Sequence, residues 1–167
     1  MRILGIDPGY AIVGWGVINY ERGRFTPLDF GAVTTPAGMP FGERLEHIFN
    51  EISAIIATHT PEVLAIEKLY FQNNQKTAIE VAEARGVLLL AAQQAGIPVF
   101  EYTPLQVKSA VTGYGQAQKP QVMEMTRRLL RLPKVPKPDD TADALAIAIC
   151  HAQMGGTALK LRIAQGG

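Results

Sequence analysis

Four carboxylates in this 167-residue chain stand where the surrounding pattern calls for apolar side chains. Asp7 follows Arg2-Ile3-Leu4-Gly5-Ile6 directly and precedes Pro8-Gly9, and Glu67 ends the run Val63-Leu64-Ala65-Ile66 in the same way. Asp140 and Asp143 are spaced i, i+3 at the start of an apolar helical stretch, which places both on one helix face. An unpaired carboxylate near the centre of a sheet costs several kcal/mol or more. Each of these acids must therefore sit at the mouth of its strand, next to a compensating charge. If the helix packs against the two mouths, the acids converge and repel one another, and divalent cations relieve that repulsion. The donors are all oxygen, with no Cys/His grouping to favour Zn²⁺, so the ion expected is Mg²⁺ or Mn²⁺. Two such ions about 3.5–4 Å apart activate a water and stabilise the departing oxygen of a phosphodiester. Each acid alone has a bland alternative: Asp140 as a helix N-cap, Asp7 as a turn residue. Asp139 adds a one-residue ambiguity, in which Asp140 is favoured by its spacing from Asp143. The combination points to metal-assisted phosphodiester hydrolysis.

The elements that must position these acids follow from periodicity. Residues 2–6 form a short apolar strand stopped by Pro8 and Gly9. Residues 13–20 and 25–35 read as strands joined by the turn Glu21-Arg22-Gly23-Arg24. Leu45, Ile48, Phe49, Ile52, Ile55 and Ile56 mark an amphipathic helix over 41–58, broken by Pro61. A buried strand over 63–66 leads to Glu67, and a helix over 74–95 is closed by Gly96. A fifth strand spans 98–102, and helices follow over 104–111, 120–132 and 140–153. Hairpin strands first and crossover helices later predict an α/β domain with a five-stranded mixed sheet and helices on both faces. The expected domain is 1–154, with Pro133 to Pro138 as a stiff internal connector and 155–167 as a flexible C-terminal tail.

Composition narrows the class. With 47% hydrophobic and 19% charged residues the chain suits a globular domain. Its one cysteine, Cys150, permits no internal disulfide and reads as a packed small hydrophobe. Asp7 interrupts any apolar run that a signal peptide would need, and the longest apolar stretch, 87–92, is too short for a bilayer. The expectation is a cytoplasmic protein. Net charge is only +1, but its distribution is uneven. Residues 1–103 hold seven Lys/Arg against eleven Asp/Glu, whereas 104–138 hold seven against Glu124 alone. That basic band is a candidate phosphate-facing surface, the plain alternative being a solvated helix face. Trp15 is expected in the core. His47, His59 and His151 carry no ligand spacing.

At the acids and beyond, the chain closely resembles the RuvC family of Holliday junction resolvases. The matching pieces are Gly5-Ile6-Asp7-Pro8-Gly9, Ala65-Ile66-Glu67, Ala84-Arg85-Gly86, Phe100-Glu101-Tyr102, Gln106-Val107-Lys108 and the run from Asp140 to Ala148. The resemblance implies a ribonuclease H-like fold, a homodimer, Mg²⁺ dependence (Mn²⁺ a substitute, two ions per site) and symmetric nicking of a four-way DNA junction. It implies catalytic, metal-binding roles for Asp7, Glu67, Asp140 and Asp143. Lys108 and Lys119 match basic residues near the scissile phosphate or along the DNA. Tyr70 falls where many relatives place a base-stacking phenylalanine, and Phe71 beside it could share that task. For both aromatics, core packing is the alternative. A partnership with the RuvA–RuvB branch-migration complex is implied as well. Thr112-Gly113-Tyr114-Gly115, between the lysines, reads as a mobile loop. The helix over 74–95 is a candidate dimer face because residues 87–90 are apolar on all sides.

Three other readings compete. A nucleotide-binding phosphotransferase shares the Gly-Ile-Asp-x-Gly loop, but needs a second such domain and a further glycine-rich loop. A non-catalytic junction-binding protein would keep the fold without the acids. A ribonuclease H-like nuclease acting on another nucleic acid would keep both.

Overall fold

The computed structural model describes residues 1–70 and 75–155. Strands β1 (Arg2–Asp7), β2 (Ile12–Glu21) and β3 (Arg24–Thr34) form an antiparallel meander. Helix α1 (Phe41–His59) then crosses to β4 (Val63–Glu67), and α2 (Gln75–Gln94) crosses to β5 (Val99–Tyr102). Both later strands run parallel to their neighbours, giving the order β3-β2-β1-β4-β5. Helices α3 (Pro104–Thr112), α4 (Lys119–Leu129) and α5 (Asp139–Gln153) complete the chain.

The alternation of side chains along the strands divides the interior into two layers. Leu4, Ile6, Val13, Val17, Leu64 and Ile66 meet α1 and α2 on one face, through Ile48, Ile52 and Leu88. Ile3, Ile18, Ala65, Phe100 and Tyr102 meet α3, α4 and α5 on the other, through Val107, Val122, Leu145 and Ile149. Helix α5 is apolar almost all round because it lies directly on the sheet and is covered in turn by α3 and α4. Cys150 is fully buried within it, as expected. Gly96 adopts φ +69° and closes α2, with the Ile97 N–H donating to the Ala92 carbonyl.

Two local expectations are corrected. The fourth helix ends at Leu129, not Leu132, because Arg131 turns into the left-handed region at φ +54°. Trp15 is only half-buried, packed at the margin of its layer with its ring 6.1 Å from His59. The segment after α3 is a hydrogen-bonded turn: Gly113 caps the helix at φ +77°, and Thr112 Oγ1 accepts from the Tyr114 N–H.

Candidate active site

β1 and β4 are parallel neighbours, with Ile6 opposite Ile66, so Asp7 and Glu67 emerge side by side at the same end of the sheet. The chain turns away after each of them, leaving the carboxyls at the rim. Asp140 and Asp143 come from the first two turns of α5. Asp140 is not the N-cap: that position belongs to Pro138, and no side chain caps the helix. With the cap placed two residues earlier, Asp140 lies inside the first turn and its carboxylate is free for another task.

Electrostatics register the convergence. Burial pushes the Asp7 carboxyl up to about 8, and the charges of Glu67, Asp143 and Asp140 push the same way, while Lys119 opposes them. Glu67 is raised by burial and by Asp143, against Lys119 and Lys108. Asp143 is raised by burial although Lys119 Nζ donates to its Oδ2 at 2.8 Å. Lys119 is itself held more firmly protonated by that bond. Beside the acids lies a cleft of about 310 Å³, lined by Glu67, Lys108, Lys119 and Asp143 above an apolar floor including Val107, Val122 and Ile147. The two lysines therefore share one opening with two of the acids. Asp139 is paired with Lys137 at 2.6 Å, whereas Asp140 has its charge among those acting on Asp7.

Tyr70 is 53% exposed, so the core-packing alternative fails for it, and Phe71 lies outside the described residues. Sequence reasoning passed over one buried pair. Tyr102, opposite Glu67 in the β4–β5 ladder, shares a 2.6 Å hydrogen bond with His151 Nδ1 on α5. Burial lowers His151 to about 4 and keeps its ring neutral and able to accept. A histidine and a tyrosine 49 positions apart offer no spacing signal that could have joined them.

The donor set suits a hard divalent cation: carboxylate oxygens only, mutually repelling, with an ammonium already drawn onto one of them. Among the described residues no three His, Cys, Asp or Glu side chains stand close enough together to enclose an ion in the present arrangement. Lys119 on Asp143 supplies the positive charge instead. The chemistry of the residues fits the group, and their side-chain arms must adjust to grip it.

The family model described as "Crossover junction endodeoxyribonuclease RuvC" matches residues 3–151. The chain belongs to the RuvC family. The relative of that name from Brevibacillus brevis is 56% identical over 153 residues, 92% of each chain. Its counterpart from Alkaliphilus oremlandii is 57% identical over 155 residues, 93% of this chain and 94% of that one. Among solved structures, T. thermophilus RuvC in complex with Holliday junction substrate superposes with a TM-score of 0.89 at 34% identity. That match covers 98% of this chain and 100% of that chain. The ribonuclease H-like architecture of the RuvC family is thus present in full, with the acids at the rim of the sheet. No helix among the described residues is long and apolar enough to cross a membrane.

Proposed function

We propose that this chain is a Holliday junction resolvase, an endonuclease that resolves four-way DNA junctions by hydrolysing phosphodiesters in recombination and repair. The single observation that carries the chemistry is the emergence of Asp7 and Glu67 side by side from β1 and β4, with Lys119 bonded to Asp143 of α5 in the opening that Glu67 lines. The RuvC-family match over residues 3–151 carries the substrate class.

In this reading Asp7, Glu67, Asp140 and Asp143 hold Mg²⁺, with Mn²⁺ able to replace it and two ions per site. When bound, the metal supplies charge neutralisation and an activated water. Lys119 and Lys108 meet the backbone phosphate at the mouth of the cleft and raise the local concentration of DNA. Lys119 exchanges its bond with Asp143 for a phosphate oxygen as the strand arrives. The apolar floor limits water beneath the reacting phosphate. Tyr70, exposed just beyond β4, offers a face for an unpaired base, a contact worth about 1–3 kcal/mol. Phe71 is its neighbour in the same proposed task.

One acid cluster makes one cut, and resolution needs two cuts related by symmetry, so a homodimer completes the enzyme. Its face is α2, where Ile79 is 67% and Leu90 50% exposed on the side away from the core. The RuvA–RuvB complex is the proposed partner in branch migration, and the cytoplasm the proposed compartment.

The test compares a four-way junction, a linear duplex and an RNA–DNA hybrid, each with Mg²⁺ and with EDTA. Paired nicks in the junction alone, abolished by EDTA, are expected. A hybrid cut faster than the junction would replace the substrate assignment with another ribonuclease H-like activity. Junction binding without any cleavage would leave a non-catalytic junction-binding protein.

A further inference from the structure

Two of the four acids reach the site from a helix whose height above the sheet is set by residues that carry no chemistry. Gly14 pairs with Asp7 in the β1–β2 ladder. A Cβ built on Gly14 would fall inside the contact radius of the Asp140 carbonyl oxygen and carbon, and 2.9 Å from Asp140 Cβ. The obstacle is mostly backbone, so no rotamer change can relieve it. Gly5 stands in the same relation to the next turn, where a Cβ would meet the Ala144 carbonyl oxygen and lie 2.9 Å from Ala148 N and Cβ. Gly16 differs. Its Cβ would meet Leu145 Cδ2 at 2.5 Å and Cγ at 2.8 Å, the end of a flexible side chain. On the far side of the same turn, Thr141 Oγ1 donates to the Gly31 carbonyl of β3 at 3.0 Å, and Thr141 is fully buried.

We propose that Gly14 and Thr141 are positioning residues for the acid cluster. The bare backbone of β2 lets the first turn of α5 descend into contact with the sheet, and the Thr141 hydroxyl fastens it to β3. Together they set how far Asp140 and Asp143 stand from Asp7. Each acts through the height of one helical turn. Helix-on-sheet packing without this descent would leave room for a side-chain layer and hold the two aspartates away from the strand mouths. The inference rests on the acid-cluster reading above.

The test uses the full-length protein and reads Mn²⁺ binding by titration calorimetry in the absence of DNA, junction binding, single-turnover cleavage and thermal melting. Gly14→Ala is expected to weaken Mn²⁺ binding about ten-fold or more. It is also expected to slow cleavage on the order of 100-fold, with junction affinity within about two-fold of wild type. Gly16→Ala lowers the melting temperature because Leu145 must move, yet leaves Mn²⁺ binding and cleavage within about two-fold. Thr141→Val, of the same shape, keeps the fold and weakens Mn²⁺ binding several-fold. If Gly14→Ala does not melt cooperatively, Thr141→Val decides: unchanged Mn²⁺ binding overturns the inference. Equal losses in Gly14→Ala and Gly16→Ala would reduce Gly14 to a packing residue and overturn it as well. Asp7→Asn run alongside separates the two layers of argument, since a variant that still cleaves would sink the acid cluster itself.

Discussion

At the scale of single residues, Asp7 holds opposed tendencies. In the metal-free fold its carboxyl keeps a proton up to about pH 8, whereas the unfolded chain releases it near 3.8. The folded state therefore binds more protons through that window, and its stability falls as pH rises from about 4 to 8. Asp7→Asn replaces a carboxyl that burial, and then the neighbouring acids, force to stay protonated with a neutral group that carries no such cost. It is expected to raise the melting temperature of the metal-free protein at pH 7.5 while abolishing cleavage and leaving junction binding intact. Mg²⁺ should stabilise the wild type and not the variant, which scanning calorimetry with and without the ion checks. A variant less stable than wild type at that pH would make Asp7 a structural residue. Lys119 is 54% exposed and bonded to Asp143, so an arriving phosphate can reach its ammonium. Lys119→Ala is expected to slow cleavage at least ten-fold and to lower the slope of log affinity against log salt by about one unit, as the loss of one phosphate contact requires. An unchanged slope would show that Lys119 meets no phosphate.

At the scale of elements, the clasp between β5 and α5 makes the site sensitive to acid. His151 is 3% exposed and lowered to about 4, against 6.5 when free. Between those values the unfolded chain takes a proton that the fold refuses. The stabilisation is complete above about pH 6.5 and is lost as pH falls toward 4, by about 3 kcal/mol at most. His151→Gln, whose amide oxygen can still accept from the Tyr102 hydroxyl, should flatten this part of the stability profile. Urea unfolding at pH 7 and 5 measures it, and an unaltered slope would place the acid sensitivity elsewhere. A second tie joins α2 to β5, where Arg85 pairs with Glu101 in a partly buried setting. The two triplets Ala84-Arg85-Gly86 and Phe100-Glu101-Tyr102 thus share a structural link between the candidate dimer helix and the strand beside Glu67.

At the scale of the whole molecule, the sheet divides the work. One face carries α3, α4 and α5 with the basic band and the acids, and the other carries α1 and α2. The proposed DNA surface at the rim and along the first set thus leaves α2 available to the proposed second copy. Leu90→Lys places a charge on the exposed apolar side of α2 and is expected to convert the proposed dimer to monomers in sedimentation velocity. The monomer should still melt cooperatively, because Leu90 is not part of either core layer. Such a monomer should nick one strand of a junction without resolving it. Paired nicks from a monomeric variant would remove the requirement for symmetry.

How much of this was legible beforehand depends on the range of the force involved. Strand and helix limits came within a residue or two, except the end of α4, because hydrophobic period, proline and glycine act locally; β1 and α5 were each displaced by a single residue at one end. The four acids stood out because each breaks an apolar pattern, and the i, i+3 spacing of Asp140 and Asp143 is a property of any helix. Local pattern could not decide the cap, which fell to Pro138. Nor could it pair Tyr102 with His151 or turn Lys119 from a solvent-facing cation into the partner of Asp143. Those outcomes depend on which backbone lies against which, and on how closely. The close approach of α5 to Gly14 is written in the chain only as a missing side chain, and its meaning appears once the helix occupies that space.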